Sequence, residues 1–124
     1  MFRRYSKYNA KKVEVDGIKF DSKAEAEYYL HLKEQVDNGE IRSFERQVRM
    51  TLQEGFYLEG IKGKVRDITY VIDFVITKSD GSITYIDVKG IETDVFKLKR
   101  KMFMHKYQTP LVTVKKRKGG WVYG

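Results

Sequence analysis

A chain of 124 residues with one proline, no cysteine and a formal net charge of +8 can bury one modest hydrophobic core, not two. The lack of cysteine excludes a disulfide framework and a cysteine-ligated zinc finger, and it suits a reducing cytoplasm. No apolar run approaches membrane-spanning length and no signal-peptide core follows the basic N-terminus, so the expectation is a cytoplasmic protein without a membrane partner.

Residues 1–12 read as a basic arm: Arg3, Arg4, Lys7, Lys11 and Lys12 stand there without an acid, interleaved with Phe2, Tyr5 and Tyr8. Such an arm can grip nucleic acid, trail as a tail, or exchange with a partner subunit. Residues 13–124 are expected to form a single domain. Val13 to Phe20 predicts a hairpin around Asp16-Gly17, after which Ser22 is a good N-cap for a helix that stops at Asn38-Gly39. Helical spacing aligns Glu25, Tyr29, Leu32 and Val36, bordered by Ala26 and Leu30, and leaves Glu27, His31 and Glu34 on the other side. Glu25 therefore points inward. Ser22-x-x-Glu25 is also a capping box, which offers Glu25 a purely structural role.

A strand is expected near Ser43 to Leu52, with Gln47 placed either as a plain strand residue or as a contact to substrate or a metal's water. A Gly-containing loop from Gln53 to Lys64 leads into Tyr70-Val-Ile-Asp73-Phe-Val-Ile, then Lys78-Ser79-Asp80-Gly81, then Tyr85-Ile-Asp87-Val88-Lys89-Gly90. These are two strands of a hairpin. A three-residue loop with Gly81 left-handed sets Asp73 opposite Asp87 on one face, with Val71 and Val75 flanking Asp73; a two-residue Asp-Gly turn would separate them. Lys89 shares the face of Asp87 by the strand period of two. Opposed like charges repel, so the pair makes sense around an oxygen-seeking divalent cation such as Mg²⁺ or Mn²⁺. Alternatively, Asp73 sits on a solvated face and Lys89 is an ordinary partner of Asp87.

A second helix is expected from about Asp94 to Tyr107, docking Val95, Leu98 and Met102 on the sheet and presenting Lys97, Arg100 and Lys101 beside the site. A strand Leu111 to Lys116 and a terminal segment turned at Gly119-Gly120 complete the chain. The α-β-β-β-α-β order implies an α/β (α+β) fold, a central mixed sheet flanked by helices. His31 and His105 are assigned to the surface without a catalytic role. Fourteen of the 25 cations lie in residues 1–12 and 95–118, and the remainder, with all 17 acids, is net acidic by six. An acidic centre between basic ends is the pattern of a metal cleft walled by phosphate-binding surfaces.

Glu on a first helix, then Asp, a hairpin and Asp-x-Lys resembles the PD-(D/E)xK nuclease superfamily across roughly residues 18 to 114. Phe20-x-Ser22-x-x-Glu25 is similar to the opening-helix motif of phage endonuclease-I-like Holliday junction resolvases. The resemblance implies a restriction-endonuclease-like core, with the helix acid at Glu25, the first strand acid at Asp73 and the (D/E)xK pair at Asp87 and Lys89. Glu25, Asp73, Asp87 and Val88 would form the metal shell, and Arg3, Arg4, Lys97, Arg100 and Lys101 would contact nucleic acid. It further implies a homodimer that cleaves branched DNA, in the host cytoplasm if the chain is phage-encoded. One departure is Ile72, which stands where the family often has proline before the first strand acid. A nuclease of duplex, nicked or single-stranded DNA, or a DNA-binding module with a relic site, are the alternatives.

Overall fold

The computed structural model describes residues 12–124, so Arg3, Arg4 and the arm before Lys12 lie outside the described residues. The elements are β1 (Val13–Val15), β2 (Ile18–Phe20), α1 (Lys23–Asp37), β3 (Ile41–Gln53), β4 (Ile68–Lys78), β5 (Ile83–Val88), α2 (Asp94–Tyr107), β6 (Leu111–Arg117) and β7 (Gly120–Tyr123). The last five strands form one sheet in the order β3-β4-β5-β6-β7. All neighbours are antiparallel except β5 and β6, which run parallel and are joined by α2. This is the expected α+β architecture, a mixed sheet flanked by helices, consistent with a restriction-endonuclease-like core.

The β1–β2 hairpin turns on Asp16 (φ 53°) and Gly17 (φ 76°), the left-handed pair that a two-residue turn needs. It forms its own small sheet beside α1. The Ser22 side chain accepts from the Glu25 N–H at 3.1 Å, and Gly39 (φ 76°) follows the other end of the helix. The buried face of α1 is Glu25, Ala26, Tyr28, Tyr29 and Leu32. Tyr28 thus takes the inward place that the spacing gave to Leu30, which is exposed. An aromatic ring buries more apolar area than leucine, and the helix rotates to bury it. The same rotation seats His31 half-buried against Tyr28 and Trp121 rather than on the surface.

α2 shows a similar correction. It docks through Phe96 and Phe103, with Met102 and Tyr107 partly buried, whereas Val95 and Leu98 stand 63% and 60% exposed. Two stripes one residue apart satisfy helical spacing, and the aromatic one wins on area. The inward stripe also carries Arg100, which donates to the Leu111 carbonyl at 2.8 Å and the Gly124 carbonyl at 3.0 Å. Arg100 therefore ties helix to sheet instead of presenting a surface cation; Lys97 and Lys101 are exposed as expected.

One core lies on each face of the sheet. Phe44, Phe74 and Ile76 pack with α1, whereas Met50, Leu52, Tyr70 and Ile72 pack with α2. Strict alternation would keep Phe44 and Met50, or Ile72 and Phe74, on one face. Both strands change face at the same rung, where Gln47 (φ 52°) stands opposite Asp73 and the ladder skips from Arg46↔Phe74 to Val48↔Ile72.

Candidate active site

The β4–β5 turn decides the register. Lys78 N–H donates to the Ser82 carbonyl at 2.8 Å, Gly81 N–H to the Lys78 carbonyl at 2.9 Å, and Gly81 has φ 90°. This is the three-residue loop with a glycine bulge. The ladder then runs from Thr77↔Ile83 to Phe74↔Ile86, which puts Asp73 opposite Asp87 at the next rung. Counting by alternation from the bonded Lys78–Ser82 rung makes this a non-hydrogen-bonded rung, the kind whose side chains come closest.

The two carboxylates do not simply stand side by side on a face. The Asp73 N–H donates to Asp87 Oδ1 at 2.9 Å, and the Val88 N–H donates to Asp73 Oδ2 at 2.9 Å. These two side-chain bonds join the strands where the β4–β5 ladder ends. Val75 packs with the α2 core, so the expected flanking of Asp73 by Val71 and Val75 gives way to the face change at Asp73 itself.

Asp87 is fully buried. Its Oδ2 accepts from the Tyr70 hydroxyl and lies 3.6 Å from Lys89 Nζ. Lys89 Nζ in turn donates to the Tyr70 hydroxyl at 3.0 Å and sits 4.1 Å from the Phe96 ring centroid. Burial, and then the hydrogen bond to Asp87, push the Tyr70 hydroxyl well above its usual pKa. Sequence reasoning missed Tyr70 because a strand tyrosine reads as a core aromatic. Its place three residues before the first strand acid was the available signal.

Glu25 arrives from the first turn of α1, also buried. Gln47 Nε2 donates to Glu25 Oε2 at 3.0 Å and to Asp73 Oδ1 at 3.3 Å, so one amide bridges two acids. No bond from the Ser22 N–H to the Glu25 carboxylate appears among the described residues; only the serine half of the capping box forms. Arg46, another residue not anticipated, stacks 4.5 Å from the Phe20 ring centroid with Nη2 3.9 Å from Glu25 Oε2, and its buried Nε has no partner. Burial raises the Glu25 carboxyl, against the pull of Arg46. Burial, with Asp87 and Glu25 nearby, pushes Asp73 up to about 7.

The model of a family described as Protein of unknown function (DUF1064) matches residues 5–119. The chain belongs to this family. None of the curated proteins compared matches it.

In this DUF1064 chain the acids nearest the rung are Glu25, Asp73 and Asp87, linked by the Gln47 amide and the Asp73 N–H. Among the described residues, no three His, Cys, Asp or Glu side chains are already grouped around one ion position. The carboxylates are engaged otherwise: Gln47 donates to Glu25 and Asp73, the Tyr70 hydroxyl donates to Asp87, and Lys89 lies 3.6 Å from Asp87. Burial first, and then the neighbouring Asp87 and Glu25, raise the Asp73 carboxyl against the Val88 N–H and Lys89. No helix among the described residues is long and apolar enough to cross a membrane.

Proposed function

We propose that the chain is a divalent-metal-dependent endonuclease of the PD-(D/E)xK type, hydrolysing phosphodiesters in branched DNA such as Holliday junctions. The homodimeric state and the cytoplasmic site of action belong to the same proposal. One observation carries it: Glu25, Asp73 and Asp87 converge, through the Gln47 amide and the Asp73 N–H, on the rung where β4 and β5 part, next to Lys89, where burial and then repulsion from Asp87 and Glu25 push Asp73 up to about 7. A DNA-binding module without catalysis would gain nothing from that repulsion.

The donor set fits Mg²⁺ or Mn²⁺, being all hard oxygens with no sulfur or imidazole. Glu25, Asp73, Asp87 and the Val88 carbonyl would hold the ion, in place of the Gln47 amide that now offsets Glu25 and Asp73. When bound, it supplies positive charge against the phosphoryl oxygens and lowers the pKa of water. The chain's own residues do the rest. Lys89, fixed by Tyr70 and the Phe96 ring, presents its ammonium to the attacking water or to the charge that develops on phosphorus oxygens. Arg46, its Nη2 3.9 Å from Glu25 Oε2, partly offsets the burial that raises the Glu25 carboxyl. Lys97 and Lys101, with the arm residues Arg3 and Arg4, supply sequence-independent attraction to the DNA backbone.

The experiment is incubation of purified protein with labelled junction, duplex, nicked and single-stranded DNA, each with Mg²⁺, Mn²⁺ or EDTA. Junction cleavage that EDTA and Asp87→Asn both abolish is the expected result. Binding without cleavage under every metal would leave a DNA-binding module with a relic site, and preferential cutting of plain duplex would move the substrate assignment.

A further inference from the structure

β3 and β4 run past the end of β5: their ladder continues from the Asp73 rung through Val48↔Ile72 to Gln53↔Ile68, whereas the β4–β5 ladder ends at Phe74↔Ile86. The overhang is not a loose end. Beyond it, Phe56 and Val65 exchange two backbone bonds, 2.9 and 2.7 Å, and the Ile61 N–H closes a turn onto the Leu58 carbonyl at 3.1 Å. Gly55 lets the two limbs touch, since a Cβ there would lie 2.8 Å from the Val65 carbonyl oxygen and 3.0 Å from the Asp67 nitrogen. The long loop is thus a pinned β-arm.

Its tip is apolar and uncovered. Tyr57 is 76% exposed, Leu58 57% and Ile61 53%, an arrangement that costs solvation in a chain with mean hydropathy of −0.56. Lys62, Lys64 and Arg66, all exposed, alternate with this apolar surface on the returning limb, and Glu59 is the one acid between Phe56 and Arg66. Arg49 is exposed on the overhang between tip and site, its guanidinium donating to the Thr69 hydroxyl at 3.0 Å. At the usual strand rise, the foot of the arm at Ile68 lies about 17 Å from Asp73.

Aromatic and aliphatic surface alternating with cations is the chemistry that takes bases by stacking and phosphates by charge. Stacking on exposed side chains requires bases that are not already paired and stacked in duplex. We infer that the 54–67 arm is a second nucleic-acid contact, in which Tyr57 and the Leu58–Ile61 surface stack on unpaired or splayed bases while Lys62, Lys64 and Arg66 hold the adjoining phosphates. The inference rests on the nuclease reading and refines it: the preferred substrate is DNA with an open strand several nucleotides from the scissile bond, as at a fork or junction.

The test is fluorescence anisotropy in EDTA with a forked DNA and a fully paired duplex of equal length, on wild type, Tyr57→Ala, Tyr57→Phe and the triple variant Lys62→Ala, Lys64→Ala, Arg66→Ala. Tyr57→Ala is expected to weaken fork binding about tenfold and duplex binding less than about twofold, with Tyr57→Phe restoring the fork preference. The triple variant is expected to flatten the salt dependence of fork binding by two to three phosphate contacts, by the usual slope of about 0.7–0.9 per contact. Circular dichroism and light scattering on the same samples report fold and oligomeric state. Variants that bind fork as wild type does, beside a wild type that binds and cleaves, would overturn the arm assignment alone. Loss of a dimer with unchanged DNA affinity would overturn it in favour of a protein contact. A wild type that binds neither DNA would overturn the nuclease reading and this inference with it.

Discussion

The backbone N–H of Asp73 donates to the carboxylate of Asp87 at 2.9 Å. A residue that sequence reasoning treats as one acid of a metal pair is therefore also the anchor of the other. The two acids differ in surroundings, because Asp87 is fully buried and satisfied by the Asp73 N–H, the Tyr70 hydroxyl and Lys89, whereas Asp73, among the described residues, accepts only from the Val88 N–H and the Gln47 amide. Asp87→Ala is expected to lower stability by about 3 kcal/mol, since it strands a buried N–H, a hydroxyl and an ammonium together. Urea denaturation measures it; a loss under about 1 kcal/mol would show that those groups find other partners.

Asp73 gives a pH signature. Its folded pKa of about 7 stands above the ordinary value near 4, so the folded state binds the extra proton between them. Stability contributed by the protonated form is complete below about pH 4 and is lost as pH rises through 7. In EDTA, melting temperature should fall between pH 5 and 8, and Asp73→Asn should be the more stable protein at pH 8, by roughly 1–3 kcal/mol. Adding Mg²⁺ should recover the wild type most at the alkaline end. A flat profile in EDTA would mean that Asp73 is already compensated.

Tyr70→Phe removes the hydroxyl that donates to Asp87 and accepts from Lys89 while keeping the ring in the α2 core. The expected cost is about 1–2 kcal/mol of stability. Cleavage should fall by tenfold or more with substrate affinity unchanged, because the loss falls on the placement of Lys89 and not on the DNA-binding surface. Single-turnover rates beside anisotropy separate the two, and a parallel loss of affinity would reassign Tyr70 to binding.

Glu25→Gln keeps an acceptor for Gln47 and leaves the Ser22 cap of the Glu25 N–H in place, so its melting temperature should stay within a few degrees of wild type. Mg²⁺-dependent cleavage should be lost with the charge. Glu27→Gln should change neither. An active Glu25→Gln enzyme would make this carboxylate structural.

The α2 cations separate in the same way. Arg100→Ala releases the carbonyls of Leu111 and Gly124 and should destabilise by about 1–2 kcal/mol with little change in the salt dependence of DNA binding. Lys97→Ala with Lys101→Ala should leave melting unchanged and reduce the salt slope by about 1–2. Equal salt slopes for wild type and the lysine double variant would remove this helix face from the DNA surface.

Much of this was legible in the chain because it depends on local chemistry. Ser22 caps α1 through its side-chain oxygen, Asp16-Gly17 and Gly81 fix turns through left-handed backbone angles that few residues adopt, and the Gly81 bulge alone sets Asp73 opposite Asp87. Helix and strand periods located α2 and the two motif strands. What the sequence left open was which of two near-equivalent faces each helix buries: Tyr28 over Leu30, and Phe96 and Phe103 over Val95 and Leu98. That choice depends on the area gained against a particular sheet, which only the assembled fold supplies. It also turned Arg100 inward. The face change at Gln47 and Asp73 lay beyond local reasoning for a related reason. Strand alternation breaks there with no mark in the residue pattern; a left-handed glutamine donates to two carboxylates from distant parts of the chain, and that compensation exists only when α1, β3 and β4 are packed together.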